Sequence, residues 1–476
     1  MKTGGLGDVA GSLPAALKKS GCEVRVIMPK FGTINKKYAD KMTFVTSFNV
    51  QLGWRSQYCG LFKLTHNGVT TYFLDNEYYF GRDGAYGYYD DGERIAFFSK
   101  AIVEAIAYLP DFKTDVLHLN DWHTALSAVY LREMYRDNPV YNDIKTVFTV
   151  HNLKFQGQYS DYILGDVLGL HDIPAAADQL RGPNNSVNFM QGALRYSDML
   201  TTVSPTYAEE IKSDFFGENM QYIFRNRESI LHGILNGIDT VEYDPTADKL
   251  IAATYGADDM SGKAACKAAL QKELGLPVDA DTPLVVMIGR LTEQKGLDLI
   301  ECVLEETLTN NKVQIAVLGT GDKKYEELLR GYADKFENFA ASIFFDAALS
   351  HRMYAGADML LMPSLFEPCG LSQMIAMRYG TLPVVRETGG LRDSVIPYNK
   401  FTGEGTGFGF ANYNAHEMMF ALVEAVSLYH EDKAAWNKLV QNAIKSDFSW
   451  DVSALRHTEL YYSLRPDITP YKSTKK

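Results

Sequence analysis

Near its start the chain reads Lys2-Thr3-Gly4-Gly5-Leu6-Gly7-Asp8, ahead of an amphipathic helical pattern. Glycines let backbone approach an anion closely, a helix N-terminus offers unpaired N–H groups, and a lysine adds a full charge beside them. That combination suits a phosphate. Further on, Gly289-Arg290 ends an apolar run and Lys295-Gly296 follows five residues later, so Arg290 and Lys295 can converge on one anion. Two more segments, Ser364 to Leu371 (with Glu367, Cys369 and Gly370) and Glu387 to Leu391 (with Thr388, Gly389 and Gly390), put small residues at the start of an expected helix. Three such loops on one sheet edge point to a diphosphate. Glu367 is unwelcome beside phosphates and suits a neighbouring sugar hydroxyl; the alternative is a charge that satisfies the helix dipole.

A second set of chemistry-bearing residues lies earlier. His151-Asn152 follows the run Thr146–Val150, and Asn120-Asp121-Trp122-His123 follows Val116–Leu119. Neighbouring parallel strands would bring these loop tips together, at strand ends facing a cleft. Between Tyr78 and Tyr89 stand Tyr78, Tyr79, Phe80, Tyr86, Tyr88 and Tyr89, interleaved with Arg82, Asp83, Asp90 and Asp91. Rings with adjacent carboxylates suit carbohydrate, whose C–H faces stack while its hydroxyls need acceptors. A tyrosine-rich loop packing on itself reads equally well.

The elements that must position these residues are strands alternating with helices. In the first half the strand-like runs are Glu23–Met28, Asp115–Leu119, Thr146–Val150 and Met199–Val203, each ending at polar or glycine-rich residues, with a meander inserted from Thr43 to Leu74. The pattern breaks at Asn236-Gly237-Ile238-Asp239, and a polar hinge runs to about Lys263. A second series follows in Leu284–Ile288, Gln314–Leu318, Ser342–Phe345, Met359–Met362 and Leu382–Val385. The expected fold class is therefore α/β, with two Rossmann-like domains over residues 1–240 and 241–450, and a ligand cleft between their C-terminal strand edges. The stretch 451–476 reads as a helix crossing back to the first domain. A loop like the one at Lys2 normally joins a first, central strand to the first helix, and no such strand precedes it here. The first domain is thus expected to lack its initial strand, with core edges exposed and Lys2 on a frayed terminus. A record begun at an internal methionine, and a product of poor solubility or weak activity, are the corresponding expectations.

Bulk properties agree with a multidomain globular protein. The 476 residues exceed one ordinary core. No apolar run is long enough to cross a bilayer and no n-region and h-region of a secretory signal are read, which gives the expectation of a cytoplasmic protein. Five scattered cysteines without a CxxC indicate neither a disulfide framework nor zinc. A net charge of −12 disfavours nucleic acid and anionic membranes as partners.

Taken together, KTGGLGDV, NDWH, TVHN, TTVSPTYAEEI, NGID, GRLTEQKG, PSLFEPCGLSQ and RETGGLRD resemble, in order and over essentially the whole chain, the bacterial glycogen synthase and plant starch synthase family. The resemblance implies a retaining glucosyltransferase of the GT-B fold that elongates α-1,4-glucans from a nucleoside diphosphate-glucose, usually ADP-glucose in bacteria, with no metal ion and no other cofactor. By that resemblance Lys2, Gly4, Gly5 and Asp8 would shape the donor pocket. Arg290 and Lys295 would neutralise the departing diphosphate, assisted by amides around Gly370, Leu371, Gly389 and Gly390, with Cys369 and Thr388 in the same loops. His151 would hydrogen-bond the glucose near its anomeric carbon, and Glu367 would hold its 3- or 4-hydroxyl. Asp121, Asn236 and Tyr86 are further candidates for donor or acceptor contacts.

Where some related GT-B families carry a second glutamate, eight residues after the first, this chain has Ile375, so the paired-carboxylate logic of glycosidases does not apply. Same-face attack by the acceptor hydroxyl through an oxocarbenium-like state is the expected route. Three other readings compete: a UDP-glucose enzyme acting on a different acceptor, a glucan-binding protein without catalysis, and a nicotinamide dehydrogenase. The last is disfavoured because no GxGxxG follows a first strand.

Overall fold

Runs such as Leu284–Ile288 and Met359–Met362 carry apolar side chains at consecutive positions, a pattern that strands show when both faces are covered. In the computed structural model of the protein, which describes residues 5–110 and 112–468, both runs are central strands of a parallel sheet. The chain divides into two compact units. Unit 1 takes the chain up to Val203, Ala208–Ile234 and the stretch from Trp450; unit 2 takes Ser204–Tyr207 and Leu235–Ser449. The division therefore falls at Leu235 instead of residue 241. The physical reason is local: Ile238 N–H donates to Phe448 O at 2.8 Å, and Ser204 Oγ to Pro368 O at 2.6 Å, so both segments are stitched into unit 2.

Unit 1 begins with the helix Gly5–Lys19. Strands β1 (Arg25–Pro29), β2 (Thr43–Leu52), β3 (Arg55–His66) and β4 (Val69–Asp75) form a sheet of order β1-β4-β3-β2, parallel between β1 and β4 and antiparallel across the meander. A second sheet contains β5 (Val116–Asn120) and β6 (Lys145–Val150). A small antiparallel sheet follows, of β7 (Gln158–Ser160), β8 (Arg181–Gly182) and β9 (Ser186–Asn188). The chain then returns to the second sheet as β10 (Met199–Thr202) and β11 (Leu231–Gly233), giving a parallel order β11-β10-β6-β5. Among the described residues β1 and β5 pair on one side only.

The final helix, Trp450–Leu464, buries Trp450 and Ala454 against Val9, Leu13, Ala16 and Leu17 of the first helix, and Leu460 against Val147 and Ile234. Its Tyr461 hydroxyl lies 2.6 Å from His118 Nδ1, and His118 Nε2 lies 2.6 Å from Thr149 Oγ1. A polar link thus runs from this helix through β5 into β6.

Unit 2 holds one six-stranded parallel sheet. Its strands are β12 (Leu284–Ile288), β13 (Gln314–Leu318), β14 (Phe339–Ser342), β15 (Met359–Met362), β16 (Leu382–Arg386) and β17 (Phe408–Phe410), in the order β14-β13-β12-β15-β16-β17. One expectation is corrected. The strand read at Ser342–Phe345 lies earlier, at Phe339–Ser342, where its backbone is in register with Ile315–Leu318. Phe344 and Phe345 are left beyond the strand end, 49% and 89% exposed.

Candidate active site

From β12 the chain of unit 2 adds β13 and β14 to one side, then crosses over to lay β15, β16 and β17 on the other. The reversal between β12 and β15 is the switch point at which open parallel sheets bind ligands. The loops singled out from sequence leave the C-terminal ends of β12, β15 and β16, three adjacent strands. Arg290 is exposed at the end of the first. Lys295 closes a short 3-10 turn, and its ammonium sits 2.5 Å from the buried carboxylate of Glu367, on the second. Ser364 Oγ donates to the same oxygen at 3.1 Å, and Leu365 N–H donates to Gln294 O at 2.9 Å, tying the two loops together. Glu367 is therefore a paired, buried carboxylate, and the helix-dipole reading is set aside.

The glycine pair of the third loop serves that carboxylate. Gly389 has φ +44°, and a Cβ there would stand 2.1 Å from Glu367 O; at Gly390 it would stand 2.0 Å from Cys369 O. Only glycine lets the β16 loop lie flat on the backbone that carries Glu367. Gly390 N–H already donates to Glu367 O at 3.0 Å, so this amide is committed to the protein, contrary to its expected role on a diphosphate. Gly370 and Leu371 spend no N–H on a partner among the described residues. Two side chains expected at the donor are packed away. Thr388 is fully buried, and the Cys369 thiol, buried and receiving the Asn236 N–H, is pushed up to about 12. Asn236 is buried beside it.

In unit 1 the ends of β5 and β6 meet as expected from sequence. His151 N–H donates to Asp121 Oδ1 at 2.8 Å, and His151 Nε2 lies 2.9 Å from Asn120 Oδ1. With that carbonyl accepting, Nε2 carries the proton and Nδ1 is the ring's acceptor. Desolvation pushes His151 down to about 4, so the ring is neutral at physiological pH. Asp121 takes φ +57°, ψ 178°, a conformation rarely adopted outside glycine. Burial pushes its carboxyl up to about 6 in spite of hydrogen bonds from the His151 and Asn152 amides. A strained backbone and a destabilised charge at one residue mark a site kept for function at a cost in stability.

That cost gives a testable sign. Because the folded carboxyl titrates above its unfolded value, the penalty is absent near pH 4, grows as pH rises and is complete above about pH 6. Asp121→Asn keeps an acceptor for the His151 amide and removes the charge. It is expected to raise stability at pH 7.5 by about 2 kcal/mol, with a smaller gain at pH 5, while activity falls at least about tenfold. Urea melts at the two pH values check the first part and initial rates the second.

His123 is the neighbour that sequence reading placed in the loop without assigning a role. Its ring packs near Trp122 and Tyr86, with centroids at 4.3 and 5.9 Å, and its buried Nδ1 has no hydrogen-bond partner among the described residues. The tyrosine-rich stretch divides between its two readings. Tyr79 and Phe80 are core, and Tyr88 is clamped under Arg82 and Arg94, whereas Tyr78, Tyr86 and Tyr89 face outward. Gly5 starts the first helix with open space where a Cβ would be, and Asp8 stands in its first turn. Lys2 and Gly4 lie outside the described residues. Phe344 and Phe345, which the sequence pattern places in a strand, stand exposed beyond the end of β14.

Two α/β units with parallel sheets, and cationic loops gathered around a glutamate at a switch point, define a glycosyltransferase of the GT-B type. The family described as starch synthase catalytic domain matches residues 1–226, and glycosyl transferases group 1 matches 272–446. The chain is 48% identical over 465 residues to a glycogen synthase of Clostridium novyi (98% of this chain, 96% of that protein) and 50% identical over 465 residues to one of Bacillus anthracis (98% and 97%). Among solved structures it is similar to the catalytic domain of starch synthase IV from Arabidopsis thaliana bound to ADP and acarbose, with TM-score 0.87 and 33% identity over 97% of this chain and 96% of that one. A sucrose-phosphate synthase from Thermosynechococcus elongatus shares the fold, with TM-score 0.59 at 17% identity over 98% and 95%. The chain belongs to the glycogen and starch synthase family. Among the described residues no helix is long and apolar enough to cross a membrane.

Proposed function

We propose that the protein transfers glucose from ADP-glucose to the non-reducing end of an α-1,4-glucan with retention of configuration. The observation that carries this reading is the Lys295–Glu367 pair at the switch point of unit 2, beside Arg290. A nucleotide sugar presents both chemistries at once, an anionic diphosphate and a neutral polyol. Arg290 and Lys295 take the charge that develops as the diphosphate leaves, which is the largest electrostatic demand of the reaction. Gly370 and Leu371 add backbone N–H groups. Glu367, held by Lys295 and Ser364, accepts from a glucose hydroxyl. In unit 1 neutral His151 accepts a sugar hydroxyl at Nδ1 and leaves no cation to repel an oxocarbenium-like centre. The acceptor 4-hydroxyl forms the new C–O bond on the face the diphosphate leaves, its proton passing to the departing phosphate oxygen. On this reading no metal or further cofactor is required, and Asp8, Asn236 and Tyr86 are supporting contacts. A cytoplasmic location fits the five unpaired cysteines.

Phe345 supports the adenine half of the donor. It follows β14, two strands from β12, hence about 10 Å along the same edge, within reach of a base whose diphosphate is held at Arg290. Stacking of a base on an aromatic ring is worth about 1–3 kcal/mol. Phe345→Ala is therefore expected to raise KM for ADP-glucose about tenfold with kcat nearly unchanged. The reading as a whole is tested by labelled-glucose incorporation into glycogen from ADP-glucose and UDP-glucose in parallel. Preferential incorporation from ADP-glucose supports it, and none from either donor overturns it.

A further inference from the structure

The turn that carries Lys295 is short and has few bonds of its own. Glu293–Lys295 is one turn of 3-10 helix, in which Lys295 N–H donates to Thr292 O at 3.0 Å and Gly296 N–H to Glu293 O at 2.8 Å. So small an element does not by itself hold a long side chain to one position, and its place must be fixed from outside. Two side chains beyond the three donor loops do this, Tyr413 and Arg386.

Tyr413 follows β17, three strands from β12 and so about 14 Å along the sheet edge. Its hydroxyl donates to Asp298 Oδ1 at 2.5 Å and lies 3.2 Å from Glu293 O. These partners flank Lys295: Glu293 opens the turn, and Asp298 stands in the first turn of the helix Leu297–Asn310. Desolvation and the bond to Asp298 hold the Tyr413 hydroxyl above its ordinary value, so it remains a donor. The ring is also presented rigidly. Asn412 donates to Glu417 from its backbone at 3.0 Å and from its side chain at 2.7 Å, and the Asn414 side chain accepts from the His416 and Glu417 amides. Both neighbours of Tyr413 are thereby fastened to the start of the helix Ala415–Glu431.

Arg386, the last residue of β16, closes the circuit. Its guanidinium stands 5.6 Å from the Tyr413 ring centroid and donates to Leu365 O at 2.6 Å. Leu365 lies two residues before Glu367, and its N–H is the one that donates to Gln294 O. The backbone at Leu365 is thus held by the Lys295 turn at one end and by Arg386 at the other.

We propose that Tyr413 and Arg386 are positioning residues for the transfer, setting where the Lys295 ammonium and the Glu367 carboxylate stand and acting through that pair, not on the donor itself. A misplacement of about 1 Å at such a pair can lower a rate by about 10²-fold. The inference rests on the reading that Lys295 and Glu367 hold the nucleotide sugar.

A double-mutant cycle tests it. Tyr413→Phe keeps the ring beside Arg386 and removes the hydroxyl; it is expected to lower kcat/KM for ADP-glucose about tenfold, the scale of one hydrogen bond to a charged group, and to weaken ADP binding in calorimetry by a similar factor. In a Lys295→Ala background the same substitution should change either quantity by less than about twofold, because the group it positions is gone. Arg386→Lys keeps the charge and a donor for Leu365 O without the flat face beside the ring, and should give a smaller loss that also vanishes in the Lys295→Ala background. A merely structural role predicts a lower melting temperature and equal losses in both backgrounds. Equal losses overturn the proposal, as do unchanged kcat/KM and ADP affinity in Tyr413→Phe. If the wild type binds ADP yet transfers glucose from neither donor, the functional reading falls, and the calorimetric cycle still decides whether Tyr413 acts through Lys295.

Discussion

Lowering the pH from 7 to 5 is expected to destabilise unit 1 by several kcal/mol while unit 2 is little affected. Four histidines of unit 1 are held below their ordinary value, in each case chiefly by desolvation: His118, His123, His151 and His457. His151 and His457 are pushed down to about 4. His118 faces His457 and His151 as well as Tyr461 and Thr149, so a proton on one disfavours a proton on the next. Asp121 and Asp91 pull His123 the other way without cancelling its desolvation.

The sign follows from proton counting. In the unfolded chain these rings titrate near 6.5, so below that pH the unfolded state binds more protons, and stability falls until the native rings titrate near 4. At pH 5 His151 and His457 each cost up to about 2 kcal/mol on this basis. Asp121 works in the opposite direction and returns about 1 kcal/mol over the same interval. The net loss of several kcal/mol is a large part of what holds a domain together. In unit 2 the buried histidine, His351, lies 2.7 Å from Asp248, whose carboxyl is held low, despite burial, by hydrogen bonds from Tyr379 and His351. That contribution is lost only as pH falls through the carboxylate range. Hydrogen exchange read by mass spectrometry from pH 7 to 4.5 checks the expectation: peptides of β5, β6 and β10 should lose protection first, and simultaneous loss in β12 and β15 would refute it.

What sequence made legible here is chemistry that sits at strand ends. Arg290, Lys295, Glu367, Asp121 and His151 were readable because a parallel strand announces itself by a run of apolar residues, and the residue after the run is committed to the sheet edge. The partnership of Lys295 with Glu367 was not readable, because it depends on β12 and β15 being neighbours although β13 and β14 intervene in sequence. The sequence offers Gly389 and Gly390 as amide donors to a diphosphate; the structure shows them making room for the backbone at 367 and 369. Sequence marks a close approach at glycine without saying what approaches. Phe345 is misplaced by a related ambiguity, since hydrophobicity does not distinguish a ring that fills a core from one left exposed beyond a strand end.

The Lys295–Glu367 pair makes the sharpest kinetic prediction. Lys295→Ala and Glu367→Ala are each expected to lower kcat/KM by about 10²–10³, the scale of losing one preorganised electrostatic contact. The double variant should lose little more than either single one, because each residue orders the other: without Lys295 the Glu367 carboxylate is buried with only Ser364 to hold it, and without Glu367 the ammonium is free to leave the switch point. Independent roles would instead multiply the two losses. The two functions of the pair can then be separated with a donor lacking the 3- or 4-hydroxyl. If Glu367 holds that hydroxyl, wild type on the deoxy donor falls toward the level of Glu367→Gln on the full donor, and Glu367→Gln loses little further on the deoxy donor, since the charge-assisted hydroxyl–carboxylate bond is missing in either case. A full additional loss in Glu367→Gln on both deoxy donors would show that the carboxylate acts only by positioning Lys295, and would move the sugar contact elsewhere.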